Sequence, residues 1–168
     1  MLITKNTVEK FLADAPKFGL LNEYREANDP EGHNTNDSKS YSNVQVLVVD
    51  DNFFCSIAVV NLLQQYQIES HLATDGQEGF EMVRRRFEHD GSIYKLIIMD
   101  VYMPICDGFK ATDMIRKYLI EQEQQGFSTG ERPYICFLTA QFQTVSQMAE
   151  DLEDIDCILT KPIFKTGI

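Results

Sequence analysis

The chain has 168 residues, of which 43% are hydrophobic, and a formal net charge of -11 at pH 7. This length supports one domain with a real core, and the acidic charge argues against direct contact with nucleic acid, because phosphate binding needs clustered Lys and Arg. The apolar stretches are too short to span a bilayer and the N-terminus lacks a signal-peptide pattern, so we expect a cytoplasmic protein without direct membrane contact.

The first 43 residues divide into two segments of different composition. Residues 1–21 carry apolar side chains at helical spacing, among them Val8, Phe11, Leu12 and Ala15, which predicts an amphipathic helical segment. Residues 22–43 are rich in Asn, Asp, Ser and Gly and offer little to bury, so we predict a flexible linker there. We therefore assign residues 44–168 to the folded domain.

Apolar runs alternate with amphipathic segments throughout residues 44–168. Strands are predicted over residues 44–49, 68–73, 95–99, 134–138 and 157–159, and helices over residues 54–66, 77–88, 108–122 and 144–153. This alternation predicts an α/β fold with a parallel sheet, right-handed crossovers and helices on both faces. Six residues follow Pro162, so we predict that a last helix is missing or truncated.

Polar side chains end four of the predicted strands. Asp50 and Asp51 follow the first, Asp100 the third, Thr139 the fourth and Lys161 the fifth. Because open α/β sheets bind ligands beyond the carboxyl ends of their strands, this set predicts a site for a divalent cation and a phosphoryl group. Each residue also has an ordinary alternative: the acids as turn formers, the threonine as a β-branched strand residue and the lysine as a surface cation.

Two features are assigned to structure rather than to a site. The cluster of Arg84, Arg85 and Arg86 lies in a predicted helix among acids, which favours a solvated helix face. The four cysteines are widely spaced and form no C-x-x-C pair, so we expect reduced thiols.

In the segment after Asp100, Pro104 and Gly108 are typical of a fixed turn, and Asp107 suits the N-cap of the next helix.

Four ordered motifs resemble the receiver domain of response regulators in two-component phosphorelays. They are V-V-D-D-N at residues 48–52, M-D-x-x-M-P-x-x-D-G at 99–108, L-T-A at 138–140 and T-K-P-I at 160–163. The resemblance covers residues 44–163 and is greatest to the receivers of hybrid histidine kinases. It implies a flavodoxin-like fold with five parallel strands in the order 2-1-3-4-5.

The resemblance also implies a Mg²⁺ site and a phosphoacceptor. Asp100 is the implied acceptor, which takes a phosphoryl group from a phosphohistidine donor. Asp51 is the implied direct ligand of Mg²⁺ and Asp50 a ligand through water, with Asp100 and the backbone carbonyl of Tyr102 completing the set. Because clustered carboxylates repel one another, we expect at least one raised pKa among them.

Thr139 and Lys161 are the implied contacts of the phosphoryl group, through a hydrogen bond and an ammonium charge. Ile158 stands three positions before Lys161, where many receivers carry an aromatic switch residue, so an aromatic switch is not expected here. A missing last helix would leave apolar surface uncovered, from which we predict a dimer through that surface or a substitute element such as the segment around Val8 and Phe18. The alternative, which we favour, is that the sequence is a fragment of a longer hybrid kinase.

The implied function is that of a signalling phosphoacceptor, which catalyses only its own phosphorylation and dephosphorylation. The expected partner is a histidine kinase or a histidine phosphotransfer protein, and a full-length kinase would tether the domain to a membrane. One alternative is a pseudo-receiver that binds partners without phosphorylation. Another alternative, a phosphohydrolase with an aspartyl nucleophile, is disfavoured because Tyr102 stands where such an enzyme would be expected to carry a second acid.

Overall fold

Five parallel strands form one sheet in the order β2-β1-β3-β4-β5. The computed structural model describes residues 44–127, 130–149 and 154–161. The strands are β1 (Val46–Val49), β2 (Ser70–Ala73), β3 (Leu96–Asp100), β4 (Tyr134–Thr139) and β5 (Cys157–Thr160). The predicted sheet order is confirmed. The predicted segments 1–21 and 22–43 and the prediction about the last helix lie outside the described residues.

Four described helices connect the strands: α1 (Phe53–Gln65), α2 (Gly76–Asp90), α3 (Gly108–Gln124) and α4 (Phe142–Ala149). The side chains of Asn52, Asp75 and Asp107 cap α1, α2 and α3 by accepting hydrogen bonds from backbone N–H groups of the first turn. Such caps satisfy donors that a helix start leaves without partners. The predicted N-cap role of Asp107 is confirmed.

The sheet separates two apolar layers. On one face, Val83 of α2 and Ile115 of α3 pack with Leu47, Val49 and other side chains of β1, β3 and β4. On the other, Val59 and Leu63 of α1 pack with the alternate side chains of β1, β3, β4 and β5. Every residue of β1 and β3 is buried, as expected for central strands covered on both sides.

Some boundaries differ from the predicted ones. The strand predicted from residue 68 begins at Ser70, because Ile68 is buried in the turn after α1 without pairing to β1. The helix predicted to end at residue 122 extends to Gln124. Both shifts lie at element ends, where a hydrophobic pattern is least informative.

Arg86 corrects the prediction that the arginine cluster is a solvated face. Arg86 is buried, its guanidinium donates hydrogen bonds to the Ser92 hydroxyl and the Val44 carbonyl, and its Cζ lies 4.6 Å from the centroid of the Tyr94 ring. Arg84 does lie at the surface, paired with Glu81. An arginine can be buried in this way because its long aliphatic stem packs against apolar side chains while its guanidinium donates hydrogen bonds to nearby acceptors.

All four cysteines are free thiols, as expected from their spacing. Among the described helices, none combines the length and the apolar character that crossing a bilayer requires.

Candidate phosphoacceptor site

The strand register brings the predicted site residues to one edge of the sheet. Val49 pairs with Met99, which places Asp50 and Asp100 side by side at the carboxyl ends of β1 and β3. Asp100 pairs with Leu138, so Thr139 lies one residue further along β4. Thr139 in turn pairs with Thr160, the residue before Lys161. The five predicted side chains therefore belong to the same rim.

Lys161 joins the two buried acids of this rim. Its Nζ lies 2.7 Å from Oδ2 of Asp50 and 2.7 Å from Oδ2 of Asp100. The Lys161 side chain is 14% exposed and that of Asp50 only 2%. The other oxygens are held by the backbone, since Asp50 Oδ1 accepts from the N–H of Asn52 and Asp100 Oδ1 from that of Val101. Both carboxylates are thereby fixed in orientation.

Asp50, Asp51 and Asp100 form a cluster with the composition of a cation site. One oxygen from each lies within 4.8 Å of the others, and Asp51 is exposed whereas the other two are buried. Mg²⁺ prefers oxygen ligands and binds proteins through few carboxylates, retaining several waters. The donor set therefore fits Mg²⁺, and the open side at Asp51 leaves room for those waters. The Tyr102 carbonyl stays a predicted ligand.

Burial is the largest single influence on the pKa of both Asp50 and Lys161. Burial is the largest influence on the pKa of Asp50 and raises it, against the lowering effects of Lys161 and the Asn52 N–H, while the charge of Asp100 contributes less. The expected direction is confirmed for Asp50, but its main cause is desolvation rather than repulsion. For Lys161, burial lowers the pKa, yet the hydrogen bonds and charges of Asp100 and Asp50 together raise it above its usual value.

Thr139 is fully buried at the end of β4. Its hydroxyl accepts a hydrogen bond from the Gln141 N–H at 3.1 Å, and its carbonyl accepts one from the Lys161 N–H at 2.8 Å. The first bond orients the hydroxyl and the second fixes where Lys161 leaves the sheet. Thr139 thus positions two of the predicted phosphoryl contacts.

Sequence reasoning missed Ser56, a buried residue that supports the site from the first turn of α1. Its hydroxyl donates to the carbonyls of Asp50 and Asn52, at 3.2 Å in each case. It therefore ties the helix start to the strand end that carries two of the acids. The small polar residue in an apolar stripe was the available signal, although many helices carry such a serine without a function.

The segment after Asp100 is held close to the strand edge by two glycines. A Cβ on Gly108 would lie 2.4 Å from the carbonyl oxygen of Asp100, and one on Gly76 would lie 2.6 Å from that of Cys106. The N–H of Gly108 donates to the Val101 carbonyl, and that of Gly76 to the Cys106 carbonyl. The predicted turn is therefore packed against both β3 and α2.

Ile158 occupies a partly buried position in β5, in register with Phe137 of β4. Phe137 is fully buried and meets the ring of Phe109 edge-on, with centroids 5.1 Å apart. The aliphatic side chain at residue 158 is therefore part of the core layer beneath Lys161.

Large apolar side chains are exposed on segments that border the acidic rim. Phe53 and Phe54 begin α1 and are 68% and 83% exposed, while Tyr102 and Ile105 follow β3 and are 46% and 82% exposed. Exposed apolar side chains that adjoin one another mark interaction surfaces. Both pairs therefore follow strand ends that carry the acids.

The sequence of this chain matches a known protein family. Residues 46–166 match the family model of the response regulator receiver domain, and the chain belongs to that family. Its five parallel strands in the order 2-1-3-4-5 agree with the fold of solved receivers.

Among proteins with similar sequences is the osmosensing histidine protein kinase SLN1 of Saccharomyces cerevisiae, 37% identical over 129 residues, covering 76% of this chain and 10% of the kinase. Histidine kinase 5 of Arabidopsis thaliana is 27% identical over 146 residues, covering 74% of this chain and 15% of that kinase. This chain therefore corresponds to a small part of such relatives.

Similar solved structures include the D1050A mutant of the receiver domain of the histidine kinase CKI1 from Arabidopsis thaliana. It has 27% identity and a TM-score of 0.56, covering 68% of this chain and 78% of that one. Another is the co-crystal structure of the Saccharomyces cerevisiae histidine phosphotransfer signaling protein Ypd1 with the receiver domain of its downstream response regulator Ssk1. That match has 27% identity and a TM-score of 0.57, covering 71% of this chain and 79% of that one.

Proposed function

We propose that Asp100 accepts a phosphoryl group from a phosphohistidine donor, as one step of a two-component phosphorelay. The observation that supports this most directly is the position of Lys161, whose Nζ lies 2.7 Å from Asp100 and 2.7 Å from Asp50. A cation held beside a carboxylate at a strand end gives a negatively charged phosphoryl group a partner as it arrives.

In the proposed step, a carboxylate oxygen of Asp100 attacks phosphorus and the phosphorus–nitrogen bond to the donor imidazole breaks. The electron pair of the broken bond stays on the imidazole nitrogen, which takes a proton from solvent, so the products are an aspartyl phosphate and a neutral donor histidine. Lys161 exchanges its contact with Asp100 for one with a phosphoryl oxygen. The Thr139 hydroxyl donates a hydrogen bond to another phosphoryl oxygen, because the bond it accepts from the Gln141 N–H already orients it.

Mg²⁺ bound at this site would supply positive charge that offsets the phosphoryl oxygens during transfer. Asp50, Asp51 and Asp100 would hold it, because their oxygens converge within 4.8 Å. The role of Ser56 is to keep the strand end that carries Asp50 and Asp51 in place. Phosphoryl transfer depends mainly on positioning and charge, and this rim supplies both.

The proposed donor is a histidine phosphotransfer protein or the histidine kinase itself. The likeness to the Ssk1 receiver, which was crystallised with Ypd1, supports the first. The exposed side chains of Phe53 and Phe54 offer such a donor an apolar surface beside the acids. Similarity to kinases such as SLN1 supports a place within a hybrid kinase, with the receiver on the cytoplasmic side.

Incubation of the 168-residue protein with acetyl phosphate and Mg²⁺, followed by intact-mass measurement, tests this function. We expect one phosphate adduct, a mass increase of about 80 Da for a single phosphoryl group. Asp100→Asn should abolish the adduct, while Asp113→Asn should not, because Asp113 is an exposed acid on the outer face of α3. A parallel reaction with phosphorylated Ypd1 tests protein-to-protein transfer.

The other outcomes identify other functions. No adduct with either donor, together with unchanged thermal stability in millimolar Mg²⁺, would favour the pseudo-receiver. Continuous release of phosphate from many phosphate esters would favour a hydrolase. An adduct that persists in Asp100→Asn would move the acceptor to another residue and contradict the proposed role of Asp100.

A further inference from the structure

Cys136 and Cys157 lie directly beside one another in the sheet. They are paired in the register of the parallel strands β4 and β5, and both belong to the apolar layer on the α1 side. Neighbouring strands of a sheet are about 4.8 Å apart. Disulfides join residues whose Cα atoms are about 4.4–6.8 Å apart, so the two strands already have a spacing that a disulfide can bridge.

The two thiols differ in their access to solvent. Cys136 is fully buried, whereas Cys157 is partly exposed near the edge of the sheet. A small molecule can therefore reach the Cys157 sulfur, while Cys136 meets solvent only through its neighbour. Redox-sensing cysteines have this arrangement, in which an accessible thiol lies next to a second thiol that resolves its oxidised form.

A hydrogen bond between the thiols makes Cys157 the more reactive of the two. The bond from Cys136 is the largest influence on the pKa of Cys157 and lowers it, against the raising effect of burial. For Cys136, burial is the largest influence and raises the pKa. The carbonyl oxygen of Phe137 is another acceptor for the Cys136 thiol, at 3.8 Å. Because the thiolate is the nucleophilic form of cysteine, Cys157 is the thiol that attacks an oxidant.

The other two cysteines lack this combination. Cys55 is partly exposed, but burial raises its pKa, and Cys106 is buried with a pKa raised for the same reason. Neither lies in a strand, so neither has a cysteine neighbour in the sheet. A buried cysteine by itself is an ordinary core residue, and it is the pairing across two strands that distinguishes Cys136 and Cys157.

We propose that Cys136 and Cys157 form a peroxide-sensitive thiol pair whose disulfide fixes β5 against β4. The Cys157 thiolate attacks one oxygen of the peroxide, the O–O bond breaks, and a sulfenic acid and water result. The Cys136 sulfur then attacks the Cys157 sulfur, and the S–O bond breaks. The leaving hydroxide takes the thiol proton as water, so two thiols lose two electrons and hydrogen peroxide becomes two waters.

The disulfide would act on the strand that carries Lys161. β5 pairs with β4 alone among the described strands, and the pair Thr139 and Thr160 lies three positions beyond the two cysteines. Lys161 follows immediately, with one backbone bond to Thr139. An edge strand opens without disturbing the rest of a sheet, and a covalent link to its neighbour removes that opening. Oxidation would therefore hold Lys161 beside Asp50 and Asp100.

The test treats the reduced 168-residue protein with hydrogen peroxide and then alkylates the remaining thiols after denaturation. The four free thiols should fall to two, and a digest should contain one linked pair of peptides that joins Cys136 to Cys157. Hydrogen exchange in residues 157–161 should slow about tenfold, because opening of the edge strand is lost. The melting temperature should rise by about 5–10 °C, since the link closes a loop of about 20 residues in the unfolded chain. Dithiothreitol should reverse all three changes.

Cys157→Ala and Cys136→Ala should each abolish the linked peptides and the slower exchange. Cys55→Ala is the matched control, because it removes the other partly exposed thiol and should leave the linked pair unchanged. Neither measurement uses phosphoryl transfer, so their outcome is independent of the proposed role of Asp100.

Three results would overturn the inference. One is the loss of no thiol, and another is conversion of Cys157 to a sulfinic or sulfonic acid while Cys136 can still be alkylated. The third is a disulfide that joins other cysteines or two protein molecules. A protein that contains the Cys136–Cys157 link but exchanges residues 157–161 at the reduced rate would show that the bond does not fix β5.

Discussion

Lys161 and Asp50 form a largely buried ion pair, with 2.7 Å between Nζ and Oδ2. The same ammonium reaches Asp100 at 2.7 Å, so one cation serves two acids. Burial raises the pKa of Asp50 even with this partner present. The site therefore carries an electrostatic cost in the absence of a second cation.

Lys161→Met should destabilise the protein and make its stability depend more strongly on Mg²⁺. The substitution leaves two buried carboxylates without their shared cation, which should lower the free energy of unfolding by about 2 kcal/mol. Millimolar Mg²⁺ should restore part of this loss, because a ligand that binds only the folded state stabilises it. Urea unfolding with and without Mg²⁺ measures both effects.

Lys117→Met is the control for that measurement. Lys117 pairs with Asp113 at 2.8 Å, but both side chains are more than half exposed. Exposed pairs contribute little to stability, so this variant should unfold like the wild type, with or without Mg²⁺. Equal losses in the two lysine variants would show that the buried pair has no special electrostatic role.

Gly108→Ala should disrupt the site from the backbone. The added Cβ would lie 2.4 Å from the Asp100 carbonyl oxygen, so either β3 or the start of α3 must move. We expect a loss of about 2–3 kcal/mol in the free energy of unfolding, typical of overpacking, and a lower rate of phosphorylation by acetyl phosphate. Thermal melting and intact mass provide the two measurements.

Gly91→Ala separates this clash from the general cost of replacing a glycine. Gly91 has a φ of +62° after α2, and a Cβ there would meet no atom within 4 Å. Its loss should be about 1 kcal/mol, from the left-handed backbone alone, with no change in phosphorylation. A Gly108→Ala protein that behaves like Gly91→Ala would contradict the close packing of this turn.

Tyr102→Ala should shorten the lifetime of the proposed aspartyl phosphate. Tyr102 follows Asp100 by two residues and its side chain is 46% exposed, so we expect its ring to border the approach of water to the acid. Its removal should admit hydrolytic water and speed loss of the adduct severalfold. The time course of the adduct by intact mass gives the rate. Phe127→Ala, which removes an exposed ring after α3, should leave that rate unchanged.

His71 should contribute to a loss of stability in mild acid. Burial is the largest influence on the pKa of His71 and lowers it, assisted by the charge of Arg86, while Nδ1 lies 2.8 Å from the Tyr94 hydroxyl. The unfolded chain therefore binds a proton more readily than the folded one. Its contribution is present above the unfolded pKa of about 6.5 and is lost as pH falls through the lower folded value.

His71→Gln should make the free energy of unfolding less dependent on pH between about 7 and 5, the range set by that unfolded pKa. Urea unfolding at several pH values gives the slope for each protein. The comparison cancels the contributions of Asp50 and other acids, which both proteins share. Identical slopes would show that the protonation of His71 is not linked to folding.

The alternation of strands and helices and the identity of the rim residues were predictable because both follow from local patterns, whereas the order of the strands in the sheet came from the resemblance to receiver domains. A buried parallel strand is a continuous apolar run, and Asp50, Asp100 and Thr139 each follow one. The register was not predictable, since a shift by two residues preserves the same alternation. The position of Lys161 relative to the two acids could therefore be known only from the structure.

Interactions between distant segments were the other part that the sequence did not reveal. Arg86 has the local context of a surface residue, yet Tyr94, Ser92 and Val44 together make its buried position favourable. The positive φ of Ile105 likewise depends on the contact between Cys106 and Gly76, which are 30 positions apart in the chain. A prediction made from the preferences of single residues does not take contacts between distant segments into account.

β5 lies at the edge of the described sheet, and this position affects the fraction of molecules in which Lys161 is in place for the proposed phosphoryl transfer. β5 pairs with β4 alone among the described strands and holds Lys161 through one backbone bond to Thr139. Edge elements open more readily than the centre of a sheet. Fraying of β5 would withdraw the ammonium while Asp50, Asp51 and Asp100 keep their places. The dynamics of this one edge strand would then set the fraction of molecules ready to react.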